Sequence, residues 1–138
     1  MTDTEKSNKE VVLRFNREVI EKGDINAVME LIHPDFINHN LPPGAQQGPQ
    51  GMINFITGIL HKAFAGISVE ILDQVVEDTK VVSRKVINAT HTESFMGIAA
   101  SGKRIALPII DIVALQNRQY MEHWSLMDLR DIVAKSSN

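Results

Sequence analysis

The 138-residue chain has no cysteine, which excludes disulfides, thiolate nucleophiles and cysteine-based zinc sites together. It also lacks an excess of positive charge: the formal net charge is −3, and no run of Lys or Arg is interleaved with aromatics. Nucleic acid is therefore not an expected partner. No segment approaches the roughly 18 continuous apolar residues of a membrane span, so no membrane partner is expected. The first ten residues, MTDTEKSNKE, are polar and have no apolar run behind them that could act as a signal peptide, so a cytoplasmic location is expected. There is no G-x-S-x-G elbow, no phosphate-cradling loop and no dinucleotide fingerprint. The five histidines show no H-x-H or H-x₃-H spacing, which argues against a metal site.

What is present fits one folded unit over residues 1–138, with 1–7 and 132–138 as flexible ends; 43% of residues are hydrophobic and 22% charged. The first half is helical in period. Val11, Val12, Phe15, Val19 and Ile20 recur at helical spacing and Gly23 ends the helix. Asp24 caps a short second helix with Ile25, Val28, Met29 and Ile32 inward, stopping before Pro34. His33 reads as a cap of that helix's end. Residues 35–48, DFINHNLPPGAQQG, read as a loop. GPQGMINFITGILHKAF is a third helix with Met52, Phe55, Ile56, Ile59, Leu60 and Ala63 in one stripe and His61 facing solvent.

After Gly66 the period becomes two. Four strands follow: ISVEILDQVVED, a long VVSRKVINATHTESF, RIALPIIDIVALQ and QYMEHWSLMDL, the last two joined by a turn at Asn117 and Arg118. Helices first and consecutive strands afterwards predict an α+β fold with an antiparallel sheet curling over helices.

Counting by two along the third strand puts Asp111 on one face with Ile105, Leu107, Ile109, Val113 and Leu115. A carboxylate there must be paired, hydrogen-bonded or protonated. A bulge would instead place it on the opposite face. In the fourth strand, Tyr120, Glu122, Trp124, Leu126 and Asp128 alternate with Met121, His123, Ser125 and Met127. Hairpin pairing brings Asp111 near Glu122 to Ser125, so a His123–Asp111 pair is geometrically open, as is an ordinary cross-strand polar contact. His39 and His91 are the other site candidates.

The segments IEKGDINAVMELIHPDFINH, GPQGMINFI, VVSRKVINATHTESFMGIAASGKRI and RQYMEHWSLMDL, in this order, resemble the SnoaL-like family, the polyketide cyclase and ester cyclase branch of the NTF2-like superfamily. The likeness spans about residues 8 to 130. It implies an NTF2-like cone, with N-terminal helices packed in a strongly curved antiparallel sheet around an apolar pocket, and a homodimer formed through the sheet. It also implies intramolecular aldol chemistry by a pocket aspartate and a nearby histidine, with no metal and no cofactor. The family's aspartate falls on Ser125 and its histidine on Asp111, so the resemblance points to an exchanged pair, Asp111 as carboxylate and His123 as imidazole. The expected function is a cofactor-free isomerase, cyclase or lyase acting on a small apolar carbonyl or ester compound. In that reading His39 and His91 anchor the ligand at the pocket mouth, and Phe95, Trp124 and Ser125 line it. The alternative is a non-catalytic pocket protein that binds a small hydrophobic ligand; a protein-interaction module ranks third.

Overall fold

The computed structural model describes residues 1–136. Helix α1 (Asp3–Phe15) opens with a capping box, the Thr2 hydroxyl accepting from the Glu5 amide while the Thr2 amide donates to the Glu5 carboxylate. The ends expected to be loose are helical where described: α1 begins at Asp3, and α5 (Arg130–Ser136) holds Ile132 fully buried. Residues 137 and 138 lie outside the described residues.

Past Phe15 the helix widens into π-type winding over Asn16–Glu21, and Gly23, at φ +67°, ends it as the sequence predicts. Asp24 caps α2 (Ile25–Leu31) by accepting from the Asn26 and Ala27 amides. Met29, counted into that helix's inner face, points to solvent. Helix α3 (Gly48–Phe55) carries Pro49 in its first turn, widens over Ile56–Leu60, and finishes as α4 (His61–Ala63). The widened turn adds a residue per turn and shifts the phase, which leaves Ile59 outside the buried stripe. His61 is not solvent-facing as expected; its Nε2 reaches the Ile20 carbonyl at 2.8 Å and joins the two widened helices.

Five strands form one sheet in the order β1-β5-β4-β3-β2. The strands are β1 (Ile32–Asn38), β2 (Phe64–Glu77), β3 (Lys80–His91), β4 (Arg104–Gln116) and β5 (Gln119–Met127). Neighbours are antiparallel except β1, which runs parallel to β5. The expected loop therefore begins later than residue 35, because the chain around Pro34 is an edge strand. Proline is tolerated there, and the register with β5 breaks between Ile32 and Ile37. His33 consequently caps no helix; its Nδ1 accepts from the Asp35 amide within β1.

The odd-numbered residues of β3 and β4, from Val81 and Ile105 onward, face the helices and are buried. They meet Val11, Val12 and Phe15 of α1, Val28 and Leu31 of α2, and Met52, Ile56 and Leu60 of the α3 segment, so the helices fill the curved sheet as the α+β cone requires. Among the described residues no helix is long and apolar enough to cross a membrane.

Candidate active site

β3 and β4 pair without a register break from Thr90–Arg104 to Lys80–Ala114. The alternation read from the sequence thus survives, and Asp111 lies on the inner face, 4% exposed, among Ile109, Val113 and Leu107. Directly opposite are Ser83 on β3 and Ser125 on β5, with His123 two residues along. The turn at Asn117 and Arg118 has both φ values positive, 49° and 62°, which is the hairpin geometry that sets this register.

The Asp111 carboxylate is the centre of a polar cluster. Its Oδ2 accepts from Lys85 Nζ at 3.0 Å and lies 3.4 Å from His123 Nε2. Lys85 Nζ also donates to Asn16 Oδ1 at 2.7 Å, and Asn16 in turn donates from Nδ2 to the Val12 carbonyl. Lys85 and Asp111 side chains are 6% and 5% exposed against 19% for His123, so the imidazole is the member nearest to solvent. Burial pushes the Asp111 carboxyl up, but the Lys85 charge and the His123 contact outweigh it, and its pKa ends below the ordinary 3.8. Of the states open to a carboxylate on this face, the structure gives the paired one, with the Lys85 ammonium beside it. Two atoms of the cluster, Asp111 Oδ1 and His123 Nδ1, are buried and have no hydrogen-bond partner among the described residues.

Tyr120 closes the site on one side. A bulge in β5 at Met121, facing the Ala114–Leu115 step of β4, brings Tyr120 opposite Leu115, so Tyr120 turns inward with His123 rather than outward with Glu122 and Trp124 as strict alternation predicts. It stacks on Phe15 with ring centres 4.4 Å apart, and burial, followed by the Asp111 charge, raises its phenol well above 10. It stays protonated at neutral pH.

The other expected site residues do not join this cluster. His39 and Trp124 lie on the opposite face of the sheet, because Trp124 alternates with His123 and Ser125. There the two rings stack at 4.6 Å and 4°, and His39 Nε2 sits 3.1 Å from Glu122 Oε1. Neither lines a cavity shared with Asp111. His91 is on the inner face but six residues beyond Lys85, about 20 Å along the strand. It is fully buried rather than at a pocket mouth, packed against Phe64 at 5.3 Å, and Phe64 packs on Phe95 at 4.9 Å. Neither His91 ring nitrogen has a partner at normal hydrogen-bond geometry among the described residues; burial lowers its pKa, and the nearby Glu93 backbone offsets part of the shift. Ser125 is held by its backbone, its N–H donating to Asn40 Oδ1 while its carbonyl accepts from Asn40 Nδ2.

Lys85 and Asn16 are the residues that sequence reasoning missed. Lys85 shares its face with Val81, Ile87 and Ala89, so the same count by two that placed Asp111 would have found it. A groove of about 430 Å³ lined chiefly by Leu72, Val86, Pro108, Ile110 and Leu126 runs over the outer sheet face, and Lys85 contributes to its lining. A hollow of about 470 Å³ lies between Gly58, Ile59, Lys62 and the 93–96 loop.

Comparison with solved structures places this arrangement among known relatives. TsrD from Streptomyces laurentii is similar over 95% of both chains at 26% identity, with a TM-score of 0.84. A protein from Jannaschia sp. CCS1, provisionally described as a SnoaL-like polyketide cyclase, is 25% identical over 97% of this chain and 96% of its own, with a TM-score of 0.82. IdmH from Streptomyces antibioticus, provisionally described as a polyketide cyclase, shares the fold at 22% identity and a TM-score of 0.79 over 95% of this chain and 99% of its own. No curated protein matches. The SnoaL-like polyketide cyclase profile matches residues 10–135, nearly the whole chain, and the protein belongs to that family.

Proposed function

We propose that the protein is a cofactor-free acid/base enzyme that moves a proton at carbon in a small apolar carbonyl or ester compound, a reaction of the cyclase, isomerase or lyase type. The observation that carries this reading is the buried Lys85–Asp111–His123 cluster on the inner face of the sheet, in which Asp111 Oδ1 and His123 Nδ1 have no partner among the described residues. Loss of a proton from carbon is accelerated by a positioned base, and fixed polar groups act more strongly on the developing charge where water is excluded. Base and counter-charge here are both side chains, so the step needs no added group.

The test is exchange at carbon. An apolar 1,3-diketone in deuterated buffer is followed by proton NMR with wild-type protein, His123→Ala and Asp111→Asn. The wild type should accelerate exchange and each variant should lose about 10²-fold or more of that acceleration. Wild-type-like exchange in both variants, or none above buffer in the wild type, would sink the reading. The second outcome would favour the non-catalytic binder.

A homodimer through the outer sheet face is part of the same proposal. Leu126 is 81% exposed and Ile110 53% exposed beside the apolar groove, a face that a second copy would cover. Ile110→Glu with Leu126→Lys should shift light-scattering mass from dimer to monomer; an unchanged mass would count against it.

A further inference from the structure

We propose that Lys85 is a positioning residue that fixes the tautomer of His123, so that Nδ1 of that imidazole, rather than the Asp111 carboxylate, is the atom that accepts the substrate proton. The inference rests on the acid/base reading above and assigns its roles. Around Asp111 stand Lys85 and Ser83 from β3 and His123, Ser125 and Tyr120 from β5, with Asn16 of the widened helix behind Lys85.

A carboxyl group buried among aliphatic side chains can settle in one of two states. Alone, it keeps its proton, and that O–H donates to a neighbouring imidazole nitrogen. A neutral imidazole has one N–H, so it would then carry its proton on the far nitrogen. Beside an ammonium the carboxyl is an anion, and an anion only accepts. The geometry is that of the second state: Lys85 Nζ, itself held at 2.7 Å by Asn16 Oδ1, points at the same Oδ2 that His123 Nε2 approaches. Both groups facing that oxygen must then be donors. His123 therefore bears its proton on Nε2, and Nδ1 is left with a free lone pair.

Nδ1 is the buried His123 nitrogen that finds no donor among the described residues. A bare imidazole lone pair is a stronger base than a carboxylate that has been stabilised by an ammonium. When Nδ1 takes a proton, the resulting imidazolium keeps its Nε2–H on Asp111, so the charge created by the reaction is met at once by the carboxylate. Lys85 touches neither Nδ1 nor the position of a substrate proton in this scheme; it acts through Asp111.

Long-range proton–nitrogen correlation spectra of uniformly ¹⁵N-labelled protein at neutral pH read the tautomer without a substrate. In the wild type, His123 should show a pyrrole-like Nε2 and a pyridine-like Nδ1. In Lys85→Met and in Lys85→Gln, which keeps a donor but no charge, Asp111 should hold its proton and the two nitrogens should exchange their shift ranges. Protonated Nδ1 in the wild type, or an unchanged pattern in a folded variant, would overturn the proposal; the wild-type spectrum decides it even if neither variant folds. Correct tautomers without carbon exchange would overturn the enzyme reading and leave this assignment standing. Exchange with the wrong tautomer would do the reverse.

Discussion

The Lys85–Asp111–His123 cluster and the His91–Phe64–Phe95 cluster share the inner face of one sheet, and they treat a buried ionisable group in opposite ways. At Asp111 the fold supplies an ammonium and holds the group charged. At His91 it supplies the Phe64 ring, backed by Phe95, and no hydrogen-bond partner among the described residues, and lowers the pKa so that the neutral form is favoured. Burial alone does not decide charge; the nearest partner does. The first arrangement leaves reactive lone pairs beside a counter-ion, whereas the second leaves an imidazole that packs as a core residue.

The largest effect is expected where the charged cluster loses its cation. Lys85→Met should cost about 3–5 kcal/mol in urea unfolding, because it leaves Asp111 buried beside no positive charge. A loss below about 1 kcal/mol would mean that the pair is of surface type after all.

A smaller effect should follow from Ser125→Asp, which places a second carboxylate directly opposite Asp111. One ammonium cannot serve both, so one carboxyl should hold its proton at higher pH than an ordinary aspartate, and stability should fall by about 1–3 kcal/mol at neutral pH. The loss should shrink in mildly acidic buffer, measured as the denaturation midpoint against pH. A deficit independent of pH would point to crowding instead.

The smallest change is expected at the uncharged cluster, and in the other direction. His91→Leu should raise stability by about 1 kcal/mol at neutral pH, since it removes buried polar atoms that find no partner. The folded His91 binds its proton less readily than the unfolded chain does. Stability should therefore fall as the pH drops through the ordinary histidine value of 6.5, and the variant should lose that part of the slope. For Asp111 the folded pKa also lies below the ordinary value, here 3.8, so its contribution is complete above 3.8 and disappears only as pH falls through the lower folded value. The two clusters should thus be separable by pH alone.

Much of the frame was legible in the sequence. The ends of β4, the turn at Asn117 and Arg118, and the inward face of Asp111 follow from period-two counting, which holds wherever the ladder is unbroken. It fails where the ladder breaks. The bulge beside Ala114 turns Tyr120 inward, and the interrupted register at Pro34 disguises β1 as loop. The closeness of Asp111 to His123 and Ser125 was legible because they lie on paired neighbours of one hairpin. His39 and Trp124 fall on the outer face, as the parity of Trp124 against His123 and Ser125 requires. Lys85 was missed because lysine is so seldom buried that its place on an inward face went unread. α5 has Ile132 as its fully buried anchor, too weak a periodic signal to stand out.

The π-widened turn after Phe15 has a consequence for how the chain can vary. Such a turn is an α-helix carrying one surplus residue, and each residue added or removed rotates the rest of the helix by about 100°. The N-terminal part of this helix is keyed to the site by Asn16, while the part beyond is keyed to β2 by Glu21, whose carboxylate accepts from the Val69 amide at 2.7 Å. A single deletion between those two positions would leave the first lock closed and turn the second away from its strand. Segment length there, more than the identity of the residues, would then be what a working relative must preserve.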